Sequence, residues 1–138
     1  MIDGMRESFF VAALSVGCGG FVGSVFRYCL SLIQVRWEFP MMTFVTNILG
    51  AVLIGMIAQA ALVFISMPPN FLLFMKTGVC GGFTTFSTFS LESVTLIENH
   101  QIRTAVLYIA LSILCCVVGV LLGKWIGCLL YTSRIGVL

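Results

Sequence analysis

Charge is what this chain has least of: only 9% of its 138 residues are Asp, Glu, Lys or Arg, against roughly 25% in soluble domains. With 60% of the residues hydrophobic, a soluble fold of this length could not hide its apolar surface, because small domains leave much of theirs exposed. Lipid removes that difficulty. The net charge of +2 is too small and too dispersed for a nucleic-acid surface. The six cysteines, Cys18, Cys29, Cys80, Cys115, Cys116 and Cys128, all lie in apolar stretches and form neither a CxxC pair nor a cluster with His. They read as small buried hydrophobes. A disulfide framework would place cysteines in external loops, and the loops have none. A basic leader is missing too, since Arg6 is offset by Asp3 and Glu7 and no small-x-small site follows. Leu14 to Cys18 is one residue off a lipoprotein spacing, so the first apolar run is expected to be a membrane helix. Internal repeats, low-complexity tails and Walker-type loops are also missing.

What remains is four apolar runs. A helix crossing hydrocarbon needs about 20 apolar residues, and Phe9–Ile33, Met42–Ile65, Phe71–Ile97 and Thr104–Tyr131 qualify. The connections hold the turn and charge signals: Gln34–Met41 with Arg36, Glu38 and Pro40, Ser66–Asn70 with Pro68 and Pro69, and Glu98–Arg103 with His100. The chain is thus expected to be an all-α membrane protein, one four-helix domain over residues 1–138. Lys/Arg bias sets orientation, and here it is weak. Arg6, Lys76, Arg134 and potentially Lys124 face Arg36 and Arg103. Insertion in both orientations and a fixed one with cytoplasmic termini are both open.

The third run is unusual. Its centre reads Gly78-Val79-Cys80-Gly81-Gly82-Phe83-Thr84-Thr85-Phe86-Ser87-Thr88-Phe89-Ser90. Each glycine costs a helix about 1 kcal/mol relative to alanine, and Thr and Ser side chains compete for backbone groups. A break is expected near Gly81–Thr84; a kinked, Gly-rich packing helix is the alternative. Non-helical backbone at membrane depth persists inside protein or beside a polar cavity. The carbonyls it frees suit a hard monovalent cation, as in other discontinuous helices.

Polar groups inside a span usually face the bundle interior. Residues four apart share a helix face. Three such rows are present: Ser15, Gly19, Gly23 and Arg27; Thr43, Asn47, Ala51 and Gly55; Tyr108, Ser112 and Cys116. Gly19, Gly23, Gly119, Gly123 and Gly127 read as close helix packing. Asn47 needs partners or water and offers two donors. Arg27 either snorkels to the interface or holds a positive vestibule that gathers anions, with Glu92 the nearest candidate partner. The polar side chains of these rows are mostly hydrogen-bond donors, and carboxylates are scarce, a balance that suits an anion. Phe86 and Phe89 either pack or turn their electropositive ring edges toward a small, hard one.

At these residues the chain resembles the Fluc/CrcB family of small fluoride channels. Gly81-Gly82-Phe83-Thr84-Thr85-Phe86-Ser87-Thr88-Phe89 matches its GGxTTFSTF signature. The run from Thr43 to Gly50 matches TxxxNxxG, and Gly19 to Tyr28 matches GGxxGAxxRY with Ser24 in place of Ala. The likeness covers all four runs in order. It implies an antiparallel, dual-topology homodimer with two fluoride pores lined by both subunits. It also implies a structural sodium ion at the dimer interface, held by the backbone carbonyls of Gly81 and Thr84. Phe86 and Phe89 would face fluoride, and Asn47 would contact it or orient a ring. Thr43, Thr85, Ser87 and Thr88 would add donors, Arg27 would sit in the vestibule, and Tyr108 and Ser112 would form a polar track. That track continues at Cys116, where a hydroxyl is common in the family and a thiol is a weaker donor.

The implied protein is not an enzyme. It is a passive multi-pass channel in a bacterial inner membrane, with fluoride, sodium, lipid and a second copy as partners and no nucleic acid. With a negative interior, a membrane potential worth about 2.3 kcal/mol per charge per 100 mV expels fluoride without ATP. The alternative is a small proton-coupled multidrug or cation exporter of the four-helix type, which would need a carboxylate in its first helix. A thiol oxidoreductase is a further rival, for which the adjacent Cys115 and Cys116 are a poor substitute for exposed CxxC loops.

Overall fold

The computed structural model describes residues 2–33, 38–63 and 67–135, with side chains over 7–33, 38–63 and 67–130. Arg36, Ile65, Ser66 and the side chains of Arg6 and Arg134 lie outside the described residues, and with them much of the Lys/Arg bias. Helices are the only regular elements among the described residues. Helix α1 runs Ile2–Ser31, α2 Met41–Val63, α3 Pro69–Leu72, α4 Gly81–Phe83, α5 Phe86–Glu98 and α6 Ile102–Ile135; a π-helical segment, Leu73–Cys80, joins α3 to α4. At 1.5 Å per residue, the 23 residues of α2 extend about 35 Å, enough to cross hydrocarbon.

Three continuous helices, residues 7–31, 41–63 and 102–130, are long and apolar enough to span a membrane. Between residues 69 and 98 the chain is also helical, but in pieces. One run covers residues 69–83; the other is α5, with 13 residues, or about 20 Å. Thr84 (φ −80°, ψ 156°) and Thr85 (φ −148°, ψ 110°) are extended. The interruption therefore lies at the two threonines, while Gly81 keeps helical angles (φ −65°, ψ −38°).

Local chemistry explains the ends of these pieces. Pro69 opens α3 at a position where a missing N–H costs nothing. Thr85 caps α5, its Oγ1 accepting from the Thr88 N–H at 3.2 Å. The far end of α5 closes with the Gln101 N–H on the Leu96 carbonyl (2.9 Å) and the His100 N–H on the Ile97 carbonyl (3.0 Å). These are the paired bonds of a Schellman cap. His100 takes the left-handed position with φ 59°, where glycine is usual.

Glycine sets the packing. A Cβ on Gly23 would run into the Val79 carbonyl oxygen and lie 2.8 Å from the Phe83 nitrogen; one on Gly78 would lie 2.8 Å from the Gly19 Cα. Helix α1 therefore meets the π-helical segment backbone to backbone. The same device joins α2 to α6, where a Cβ on Gly123 would collide with the Val52 carbonyl and one on Gly55 with that of Val120. Both contacts agree with the packing role expected of Gly19, Gly23 and Gly123. A buried cluster of Phe89, Leu96, Ala105 and Tyr108 ties α5 to α6, with Phe39 and Phe44 packed against it. The outer surface is apolar: Phe21 and Leu62 are each 72% exposed and Leu121 62%. Side chains of that size turned outward belong against lipid.

Candidate functional site

The site grows out of one side chain. Asn47 reaches from the second turn of α2 to the interruption, accepts the Thr85 N–H at Oδ1 (2.8 Å) and donates from Nδ2 to the Thr85 carbonyl oxygen (3.2 Å). In an unbroken α-helix the Thr85 N–H would go to the carbonyl four residues back, that of Gly81. The amide diverts it, so one side chain both satisfies the extended residue and releases a carbonyl. Nδ2 carries a second N–H beyond the one given to Thr85.

Beside this clasp lies a cavity of about 320 Å³ whose lining includes Asn47, Thr84, Thr85, Phe86, Phe89 and Ser112, with Cys116 one turn beyond Ser112. No charged side chain lines it. The Ser112 Oγ is buried and has no hydrogen-bond partner. An unmet buried hydroxyl costs about 1–3 kcal/mol, so this atom is a donor without an acceptor, on a residue of the cavity wall. The two rings stand 5.6 Å apart at 43°. Phe89 is 8% exposed and anchored on Tyr108, centroids 5.1 Å apart; Phe86 is 78% exposed, at the open side of the cavity.

Not every residue singled out in the sequence joins the cavity. Thr43 and Tyr108 turn their hydroxyls to one carboxylate, Thr43 Oγ1 donating to Glu92 Oε1 and Tyr108 Oη to Glu92 Oε2, both at 2.8 Å. The polar row on α6 is thus split: Ser112 and Cys116 line the cavity, and Tyr108, fully buried, serves Glu92. Thr88 and Ser87 sit on the first turn of α5. Thr85 Oγ1 donates to Thr88 Oγ1 at 2.9 Å and lies 3.4 Å from Ser87 Oγ. Arg27 does not pair with Glu92; its Nε donates to the Gly82 carbonyl oxygen at 3.1 Å. A guanidinium on α1 therefore steadies the backbone just before the interruption. Gly81 faces open space, with nothing within 4 Å of where a Cβ would lie.

The residue that sequence reasoning undervalued is Glu92. It was weighed only as a partner for Arg27, yet it collects two of the expected donors. Its signal is a lone carboxylate three residues past Phe89, on the same helix face. Its partners, 49 and 16 residues away in sequence, leave no local trace.

Three long apolar helices with an apolar exterior define a helical membrane protein, one that carries an open-sided cavity lined by uncharged polar groups and aromatic rings. Comparison with known proteins places it more narrowly. A family model described as "CrcB-like protein, Camphor Resistance (CrcB)" matches residues 14–124, and the chain belongs to that family. It is 43% identical to the "Fluoride-specific ion channel FluC" of Ruminiclostridium cellulolyticum over 126 residues, covering 89% of this chain and 95% of the relative. Proteins of the same name from Elusimicrobium minutum (42% over 123 residues, 86% and 92% covered) and Azobacteroides pseudotrichonymphae (44% over 111 residues, 78% and 89% covered) are similar. These relatives are named as ion channels, not as enzymes.

Proposed function

We propose that this protein is a passive fluoride channel that lets cytoplasmic fluoride leave the cell. The observation that carries the reading is the Ser112 hydroxyl, buried without a partner on a cavity that Asn47 also lines and that holds no charged side chain. Removing fluoride from water is the main barrier, since an unpaired ion in apolar surroundings costs tens of kcal/mol by simple solvation arguments. Converging donors from Asn47 and Ser112, with the electropositive edges of Phe86 and Phe89, replace part of the lost hydration. Chloride, larger and a poorer acceptor, gains less from the same donors. Binding that is shared and partial lets the ion leave again.

The wider architecture follows from the same reading. Residues 69–98 form a third, discontinuous span, so that four spans cross the membrane, a bacterial inner membrane surrounded by lipid. Two copies associate in antiparallel orientation, which covers the open side of the cavity at Phe86 and gives two pores. The Gly81 and Thr84 carbonyls are oxygen donors of the kind a hard cation prefers, and Gly81 has an open flank. Gly81 and Thr84 of the two copies would hold a sodium ion, which supplies positive charge to balance carbonyl dipoles at the interruption. Support comes from membership of the CrcB family and from relatives named as fluoride-specific channels. A proton-coupled exporter gains nothing here, because Glu92 is held by two hydroxyls and does not line the cavity.

The test is efflux from liposomes containing the purified protein, followed with fluoride- and chloride-sensitive electrodes after a potassium ionophore removes the electrical block. Fluoride should leave and chloride stay. Vesicles that hold fluoride as tightly as protein-free ones would end the proposal.

A further inference from the structure

Carbonyls around the interruption meet two opposite fates. In an unbroken helix the Gly81 carbonyl would accept the Thr85 N–H, and the Thr84 carbonyl the Thr88 N–H. Asn47 Oδ1 takes the first of these donors (2.8 Å) and Thr85 Oγ1 the second (3.2 Å). Gly81 and Thr84 therefore lose their helical partners. Gly82 and Thr85 are treated the other way, each receiving a donor from a side chain on another helix. Arg27 Nε donates to the Gly82 oxygen (3.1 Å) and Asn47 Nδ2 to the Thr85 oxygen (3.2 Å). The two bared carbonyls are the pair assigned above to sodium, and their neighbours in sequence are the two that are occupied. Arg27 meets its carbonyl with Nε, the nitrogen nearest the chain.

We propose that Arg27 is a positioning residue for the cation site: its Nε–H occupies the Gly82 carbonyl and so leaves Gly81 and Thr84 as the oxygens presented to sodium. The assignment rests on the sodium reading, and it makes Arg27 a donor at one atom rather than a source of positive potential. A guanidinium that merely stood near a cation would repel it. Without the Nε–H, the Gly82 carbonyl loses a charge-assisted bond, and the backbone beside Gly81 loses its anchor to α1. Side-chain chemistry separates donor from charge. Glutamine carries its amide nitrogen on Cδ, where arginine carries Nε, so Arg27→Gln keeps a donor at that place and discards the charge. Lysine has a methylene there, so Arg27→Lys keeps the charge and discards the donor.

The experiment follows thermal unfolding of the purified protein in detergent while sodium chloride replaces N-methylglucamine chloride at constant ionic strength. A cation held only by the native protein raises the melting temperature as its concentration rises, so the sodium concentration that produces a fixed rise is compared between proteins. Arg27→Gln should stay within threefold of the wild type, and Arg27→Lys should need at least tenfold more sodium than Arg27→Gln. A lysine variant that responds to sodium as well as the glutamine variant would overturn the assignment, even if it melts lower throughout, because that is the mark of a merely structural contact. A glutamine variant that does not fold, or that needs tenfold more sodium than the wild type, would overturn it as well. Should the lysine variant not fold, the glutamine variant decides alone by the same limits. A wild type indifferent to sodium would sink the sodium site and the assignment with it, whereas a wild type that responds while the variants break the stated order would sink the assignment alone.

Discussion

Replacing Asn47 separates two jobs that the structure gives to one amide. Asn47→Ala deletes the bond from the Thr85 N–H (2.8 Å) and the bond to the Thr85 carbonyl (3.2 Å). Each neutral bond contributes about 1 kcal/mol net, and an N–H left buried without a partner costs about 1–3 kcal/mol more. The expected loss of stability is on the order of 3–5 kcal/mol. Permeation loses one donor to a charged guest, about 1.5–3 kcal/mol. At about 1.4 kcal/mol per factor of ten, fluoride efflux should fall roughly 10- to 100-fold. Asn47→Asp divides the effects. It keeps an oxygen for the Thr85 N–H, so the fold should suffer less, but it replaces the donors with a negative charge. Two like charges 4 Å apart at an effective dielectric of 20 repel by about 4 kcal/mol, so flux should fall further than in the alanine variant. Liposome efflux gives the rates, and thermal unfolding in detergent gives the stabilities. Wild-type efflux in either variant would refute the donor role, and an alanine variant as stable as the wild type would refute the clasp.

Three further outcomes are expected. Phe86→Ile should cut fluoride efflux at least tenfold while circular dichroism shows an unchanged helical fold, because the residue is 78% exposed and supports little of the subunit's own core; undiminished efflux would remove the ring edge from the pathway. Gly23→Ala should destabilise by about 1–3 kcal/mol as an overpacking change, since its Cβ meets the Val79 carbonyl, whereas Gly17→Ala, with nothing within 4 Å, should gain about 0.5–1 kcal/mol from helix propensity; equal melting temperatures for the two would contradict the backbone contact. His100→Gly should raise stability by about 1 kcal/mol by relieving the φ of 59°, and a lower melting temperature would mean that the imidazole contributes something the cap does not.

The long spans were legible because their signal is composition over length, and α1, α2 and α6 follow the apolar runs to within a few residues at most ends. The third stretch was legible only as a disturbance. Its glycines suggested unwinding, but Gly78 and Gly82 serve close approach to α1, and Gly81 itself stays helical. The extended residues are Thr84 and Thr85, and what holds Thr85 is Asn47, 38 residues away. No local pattern records such a bond. The π-helical turns from Leu73 to Cys80 left no mark in the sequence for the same reason. Among the site residues, Asn47, Phe86, Phe89 and Ser112 line one cavity. Thr43 and Tyr108 carried the same chemistry in the sequence and were indistinguishable from Ser112. Only the position of Glu92 shows that their protons are committed, while the hydroxyl of Ser112 is free.

The most direct test places the purified protein in a planar bilayer with fluoride salt on one side and chloride salt on the other. A pathway built from donors and ring edges for the smaller, harder anion should give a reversal potential far to the fluoride side. A reversal potential near zero, or one following chloride, would contradict it.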